Sequence, residues 1–282
     1  MQTLDHVQKQ TTIVVDRRRF GLVLLAFVAG GAVPIQLITL SFGYAQYLKG
    51  ATMGPAAIMT AHEFAKVYVP FIYLPALLIL VGIAWYSRRH YPDVFRRIVV
   101  GLACGALATI ALDFFRQMGV LHEWLPADST VMFGKMVTGS SNFTTYLPVG
   151  VLVHFLNGAN FGLFFAFVWG RQRNYKRAVL WATVWALILE LGMMTGPPMG
   201  PMVGLFGVRH AWPQLFLVTL AAHIAFGIVL GLLVQHFLTD RERGHIFSFL
   251  PGGGQDLAAS PKEPVVEQMP TTPTVSMQKS AE

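Results

Sequence analysis

Charge is scarce in this chain. Only 12% of its 282 residues are Asp, Glu, Lys or Arg, where a soluble domain carries about a quarter, so a large soluble core is excluded. Cysteine is nearly missing as well, and Cys104 stands alone in an apolar run. A lone thiol can neither close an internal disulfide nor complete a thiolate metal site. No H-E-x-x-H, G-x-S-x-G, P-loop or paired C-x-x-C occurs. Their absence removes the positive case for familiar hydrolases, nucleotide-driven pumps and thiolate metal sites.

What the chain has instead is apolar length: 54% of its residues are hydrophobic, gathered into long runs with the charges between them. A hydrocarbon layer about 30 Å thick demands this arrangement. Six spans are read, from Phe20 to Gly43, Tyr68 to Tyr86, Ile98 to Met118, Tyr146 to Gly170, Ala178 to Met194, and Leu215 to Leu238. The first follows Arg17, Arg18 and Arg19, but its apolar stretch is too long for the core of a signal peptide and reads as a retained helix. The expected fold class is therefore all-α, a polytopic membrane protein with the lipid bilayer as its main partner.

Lys and Arg fall unevenly between alternate connections, sixteen on one side against five on the other. The sixteen are shared by the N-terminal segment, both tight basic turns and the tail. By the positive-inside rule that side is cytoplasmic, giving an N-in/C-in protein of the cytoplasmic (inner) membrane. The same distribution argues against nucleic acid as a partner, despite a formal charge of +7, because a nucleic-acid binder clusters its cations on a surface or helix interleaved with aromatics. The chain divides into a cytoplasmic N-terminal segment (1–19), an appended transmembrane hairpin (20–95), a four-helix transmembrane unit (96–238) and a largely disordered cytoplasmic tail (239–282). From about Gly252 the tail is polar and proline-bearing, without apolar periodicity. On the opposite side, Gly50 to Lys66 and Ser129 to Val137 are each expected to make a short interfacial helix, the second with Ser129 or Thr130 as N-cap.

An internal repeat is the most informative pattern. Span four carries His154, Gly158 and Gly162 and span six carries His223, Gly227 and Gly231, both in the form H-x-x-x-G-x-x-x-G. Asp113 precedes Gly119 by six residues in span three, as Glu190 precedes Gly196 in span five. Spans 3–4 and 5–6 thus read as a parallel two-helix repeat about an axis along the membrane normal. At 1.5 Å per residue, all four ionisable groups fall roughly 6 to 14 Å below the outer surface. Such groups are costly at that depth and usually face a bundle interior or a wet cavity. Asp113, His154, Asn157, Glu190 and His223 are therefore the candidate substrate or proton path, with His154, Glu190 and His223 as candidate metal ligands. The plainer alternatives are that Asp113 pairs with Arg116 one turn on, and that each His is a hydrogen-bonding group between helices.

Methionine gathers on the outer side, most densely in MMTGPPMGPM, where Met193, Met194, Met199 and Met202 are candidate soft-metal ligands. Their alternative role is flexible filling of apolar gaps. Pro197, Pro198 and Pro201 predict a stiff loop there rather than a helix. His62 and Glu63, adjacent in sequence, point apart on a helix, and His122 and His210 are outer-loop residues.

GALATIALD (Gly105 to Asp113), MFGKMV (Met132 to Val137), HFLNGANFG (His154 to Gly162) and HIAFGIVLG (His223 to Gly231) make residues 96–238 resemble an uncharacterised family of small four-helix prokaryotic membrane proteins, a domain of unknown function. The resemblance implies a compact four-helix unit with an appended pair, and no activity. Three classes of function remain open. The leading one is transport or binding of a proton, metal ion or small polar solute at the Asp/Glu/His site. A second is an accessory subunit or homo-oligomer packing on membrane partners through its Gly-rich helix faces. The third is an intramembrane oxidoreductase with a transition metal or haem on His154 and His223.

Overall fold

The computed structural model describes residues 16–49, 55–197 and 199–247; the tail from Gly252 lies outside the described residues. Six helical stretches are long and apolar enough to cross a membrane: Arg17–Tyr44, Pro55–His90, Pro92–Leu121, Phe143–Val168, Tyr175–Thr195 and Gln214–Phe237. They coincide with the six spans read from the sequence, and the chain is a multi-pass membrane protein. Its outside is apolar: Phe71, Leu78, Trp85, Phe114 and Leu180 are all exposed, as a lipid solvent allows and water does not.

The first span joins α1 (Arg17–Ala26) to α2 (Val33–Lys49) through a π-helical segment, Phe27–Ala32. Pro34 has no N–H to offer the carbonyl four residues earlier, so the widened turn falls where a normal helical bond is lost. The second span is built likewise, with α3 (Pro55–Tyr68), a π segment around Pro70 (Val69–Tyr73), and α4 (Leu74–His90). Here the structure corrects the expectation of a separate short helix before Tyr68. Because π geometry absorbs Pro70 without ending the helix, residues 55–90 form one continuous element.

α5 (Pro92–Leu121) starts on a proline, which the first helical turn tolerates because its N–H would be unbonded anyway. α6 (Ser129–Thr138) confirms a short helix on this connection, but its N-cap is Asp128, whose side chain accepts the Thr130 N–H. Neither Ser129 nor Thr130 caps it. Asn142 and Asn174 cap α7 (Phe143–Val168) and α8 (Tyr175–Thr195) in the same manner. Beyond α8 the proline-rich segment is not free of helix, since Gly200–Val203 makes a single turn, α9, with Pro201 near its start where proline is compatible. α10 (Gln214–Phe237) completes the bundle.

One end of the bundle is held by arginines. Arg19, on α1, donates to the Ile246 carbonyl at 3.2 Å and pairs with Asp93 at 2.5 Å. Arg97 is buried and donates to the carbonyls of Ala166 (2.7 Å) and Gly244 (2.8 Å). Arg171 reaches the carbonyls of Gln235 and Leu238. The segment 239–247, assigned above to the tail, is thereby folded against the bundle. Ile246 joins Val23, Leu80, Ile98 and Phe167 in one apolar cluster, so the hairpin and the four-helix unit share a core.

Candidate functional site

Helix α5 carries Gly101, Gly105, Thr109 and Asp113 at intervals of four, and α8 carries Ala178, Ala182, Ala186 and Glu190 at the same intervals. Four-residue spacing keeps small side chains on nearly one face and lets a neighbouring backbone approach. Against these stripes lie the histidine helices. A Cβ added to Gly158 would sit 1.7 Å from Thr109 Oγ1, and one added to Gly162 would sit 2.2 Å from the Gly101 carbonyl oxygen. On the second pair, a Cβ on Gly227 would meet Thr183 Cα at 2.6 Å, and one on Gly231 the Ala178 carbonyl oxygen at 2.7 Å. Glycine is required at these close crossings, where it packs within the chain, whereas a Cβ on Gly21, Gly82 or Gly192 would meet nothing within 4 Å.

Each crossing sets its histidine beside its acid. His154 Nε2 lies 2.7 Å from Asp113 Oδ1, and His223 Nδ1 lies 2.8 Å from Glu190 Oε2. The two environments differ. Arg116 Nε also reaches Asp113 Oδ1 at 2.7 Å, and its Nη1 reaches Asp128 Oδ1 at 2.7 Å. Asp128 additionally accepts the Thr130 amide (2.8 Å) and hydroxyl (2.7 Å). Burial would raise the Asp128 pKa, but the Thr130 hydrogen bonds and the Arg116 charge outweigh it, and the carboxyl sits below its ordinary value. Both plain readings of Asp113 and His154 are therefore realised together.

Glu190 has no cationic side chain of that kind. It is buried, with Oε1 accepting the Thr219 hydroxyl at 2.7 Å. His223 Nδ1 is 2.9 Å from the Thr219 carbonyl as well as 2.8 Å from Glu190 Oε2. Its N–H points well at the carbonyl and poorly at the carboxylate, since Oε2 has no hydrogen bond of good geometry. The 2.8 Å contact is thus a close approach rather than an aligned hydrogen bond.

His154 and His223 line one cavity of about 390 Å³, together with Asn157, Thr109, Arg116 and Ser129. Three of the five residues expected on the solute path thus face a common space, with Asp113 and Glu190 behind their histidines. Within that lining, Asn157 Oδ1 and Ser129 Oγ are buried without a hydrogen-bond partner. The proposed metal set is not assembled: among the described residues no three of His, Cys, Asp and Glu group as metal ligands. His154 belongs to Asp113, and only His223 and Glu190 of that set are in contact.

The methionines occupy apolar surroundings. Met194 and Met199 are buried with Val203 and Leu215, and Met193 and Met202 pack onto that cluster. This is the gap-filling role. Met193 and Met199 also form part of the cavity wall. His62 turns to the Met136 carbonyl at 3.0 Å while Glu63 pairs with Lys66, so the two neighbours do point apart. His122 stacks on Trp124. The sequence reading missed Thr219 and Asp128. Thr219 stands one helical turn before His223, and Asp128 opens the D-S-T start of α6, so both had a visible signal.

Compared with known protein families, curated proteins and solved structures, the chain matches none.

Proposed function

We propose that this membrane protein binds a small polar solute in the cavity between His154 and His223 and exchanges a proton with it. The observation that carries this reading is that two imidazoles, each backed by its own carboxylate, line one cavity inside an apolar bundle. Buried ionisable groups are retained at such depth chiefly where they handle charge or solute. A His and a carboxylate in contact gain and lose protons as a unit. Proton exchange with a polar solute therefore fits these pairs better than a metal does.

In this reading both termini are cytoplasmic, as the sixteen-to-five bias of Lys and Arg favours, and the membrane is the inner one. The matched stripes ending at Asp113 and Glu190, each crossed by H-x-x-x-G-x-x-x-G, support two copies of one helix pair.

Infrared difference spectra across a pH step test the chemistry. Between about pH 5 and 8, where histidine changes charge, imidazole and carboxyl bands are expected to change together, and Glu190→Gln is expected to remove the carboxyl component. Imidazole bands that are the same in wild type and in a His154→Gln, His223→Gln double variant would leave the pairs as interhelical struts, the other histidines supplying the signal.

A further inference from the structure

The cavity is walled on one side by Thr39 and Phe42 of α2 and by Ile188, Gly192 and Met193 of α8. These two helices do not pack against one another along their length. They approach near one end, where a methyl on Gly43 would lie 3.6 Å from the Pro197 ring. Thr39, Ile188 and Gly192 line the cavity and are at the same time exposed, so its wall reaches the outside of the bundle. Leu40, Leu187 and Leu191 are the exposed apolar residues beside this gap, with Gln36 exposed one turn before Leu40. In a membrane the three leucines face acyl chains. Toward the connection between α5 and α6 the lining is Leu125, Ala127 and Ser129, each half-buried.

We infer that the polar group held in this cavity is the head of an amphipathic molecule of the bilayer, an uncharged hydrogen-bonding head on an apolar chain, entering sideways between α2 and α8. This rests on the reading of the cavity as a ligand site and names the chemistry of what occupies it. The head is uncharged because the cation facing the cavity, Arg116, is already neutralised by Asp113 and Asp128, and each histidine stands beside its own acid. A further charge would enter an apolar cavity uncompensated. The head needs both to donate and to accept, since Asn157 Oδ1 and Ser129 Oγ are without partners and buried polar groups call for them. About 390 Å³ is near the lower end of small-molecule sites, about 300–1,000 Å³. It holds a head and a few carbons, and the rest of the chain lies in the gap.

The test uses photoactivatable decyl probes with a diazirine in the chain, one headed by a primary carboxamide and one by glycerol, each able to donate and to accept, on protein in nanodiscs. At least one is expected to label residues 35–42 and 188–193, in competition with its unlabelled parent but not with the tail-less head. Gly192→Phe is expected to cut that labelling about tenfold. A Cβ there meets nothing within 4 Å, so the new side chain starts in open space at the gap. Ile188→Trp, on an exposed residue, is the second block. Labelling of neither segment by either probe, equal competition by the tail-less head, or labelling unchanged in both blocked variants overturns the proposal. Glu190→Gln separates the two readings: labelling that persists there while the infrared signal is lost keeps the entry route and assigns the proton chemistry to Glu190. Imidazole bands unchanged by the His154→Gln, His223→Gln double variant, with wild-type protein still labelled, would remove the proton chemistry alone.

Discussion

Gly158 of α7 lies so close to Thr109 of α5 that a Cβ added to the glycine would fall 1.7 Å from the threonine hydroxyl, a hydroxyl that itself donates to the Gly105 carbonyl at 2.9 Å. Gly158→Ala must therefore either turn the Thr109 hydroxyl away from Gly105 or push two helices apart. Overpacking costs about 1–3 kcal/mol, and where the helices separate the His154 to Asp113 contact one turn away opens with them. Thermal melting in detergent should show the loss. Gly82→Ala is the control, because a Cβ there meets nothing within 4 Å; equal melting of both variants would contradict the crossing.

Arg97 is fully enclosed, and its Nη1 serves two carbonyls, Ala166 on α7 and Gly244 after α10. Arg97→Met keeps bulk and leaves both acceptors unsatisfied, at about 1–3 kcal/mol each. The segment 239–247 should come loose before the bundle does. Limited proteolysis near Gly244 is expected to accelerate in Arg97→Met, and an unchanged rate would show that Arg97 is not what holds the segment.

The lowered pKa of Asp128 has a defined pH signature. Its carboxyl ordinarily titrates at 3.8 and is held below that in the folded protein, so the unfolded state binds its proton first as pH falls. The sign follows from linkage: the stabilisation is complete above about 3.8 and is lost as pH drops through the folded value. Asp128→Asn should melt lower than wild type at neutral pH, with the difference shrinking in acid below 3.8. A difference that is constant with pH would assign Asp128 a purely steric capping role.

Much of this architecture was legible in the sequence because lipid imposes a simple rule: every spanning segment must be long, apolar and helical. The six spans follow from it. The pairing of Asp113 with His154 and of Glu190 with His223 was legible only as convergence, since helix rotation is fixed by packing. The signal that sets it was present, in the four-residue stripes Gly101 to Asp113 and Ala178 to Glu190. Opposite glycines identify the facing side, but which stripe meets which glycine depends on interhelical contact that no single segment records. The continuity of residues 55–90 was illegible for another reason. Pro70 reads as a helix boundary, and only a widened turn inside the folded helix lets it pass.

The orientation proposed here predicts reporter behaviour. Fusions after Gly119 and after Met202 are expected to report the outer side, and fusions at both termini the cytoplasm, because the basic connections are shared across every turn on one side. The same side reported at all four positions would contradict the six-span arrangement.

The two acid and histidine pairs should respond differently to loss of charge. Asp113 Oδ1 serves both His154 and Arg116, and Arg116 is buried. Asp113→Asn leaves that guanidinium with Asp128 alone, and breaking a buried pair from one side costs about 3–5 kcal/mol. Glu190 supports no such cation, and a glutamine there has a workable alternative. Its carbonyl oxygen can take the place of Oε2 beside His223 Nδ1, while its amide donates to Thr219 Oγ1, whose hydroxyl then turns to the Leu215 carbonyl 3.0 Å away. Glu190→Gln should therefore cost less than about 1.5 kcal/mol, near the net worth of one ordinary hydrogen bond, and still lose the carboxyl infrared signal. Asp113→Asn should fall well below it in melting temperature. If the order is reversed, Glu190 is the anchor of the bundle, and the proton-exchange role assigned to it fails.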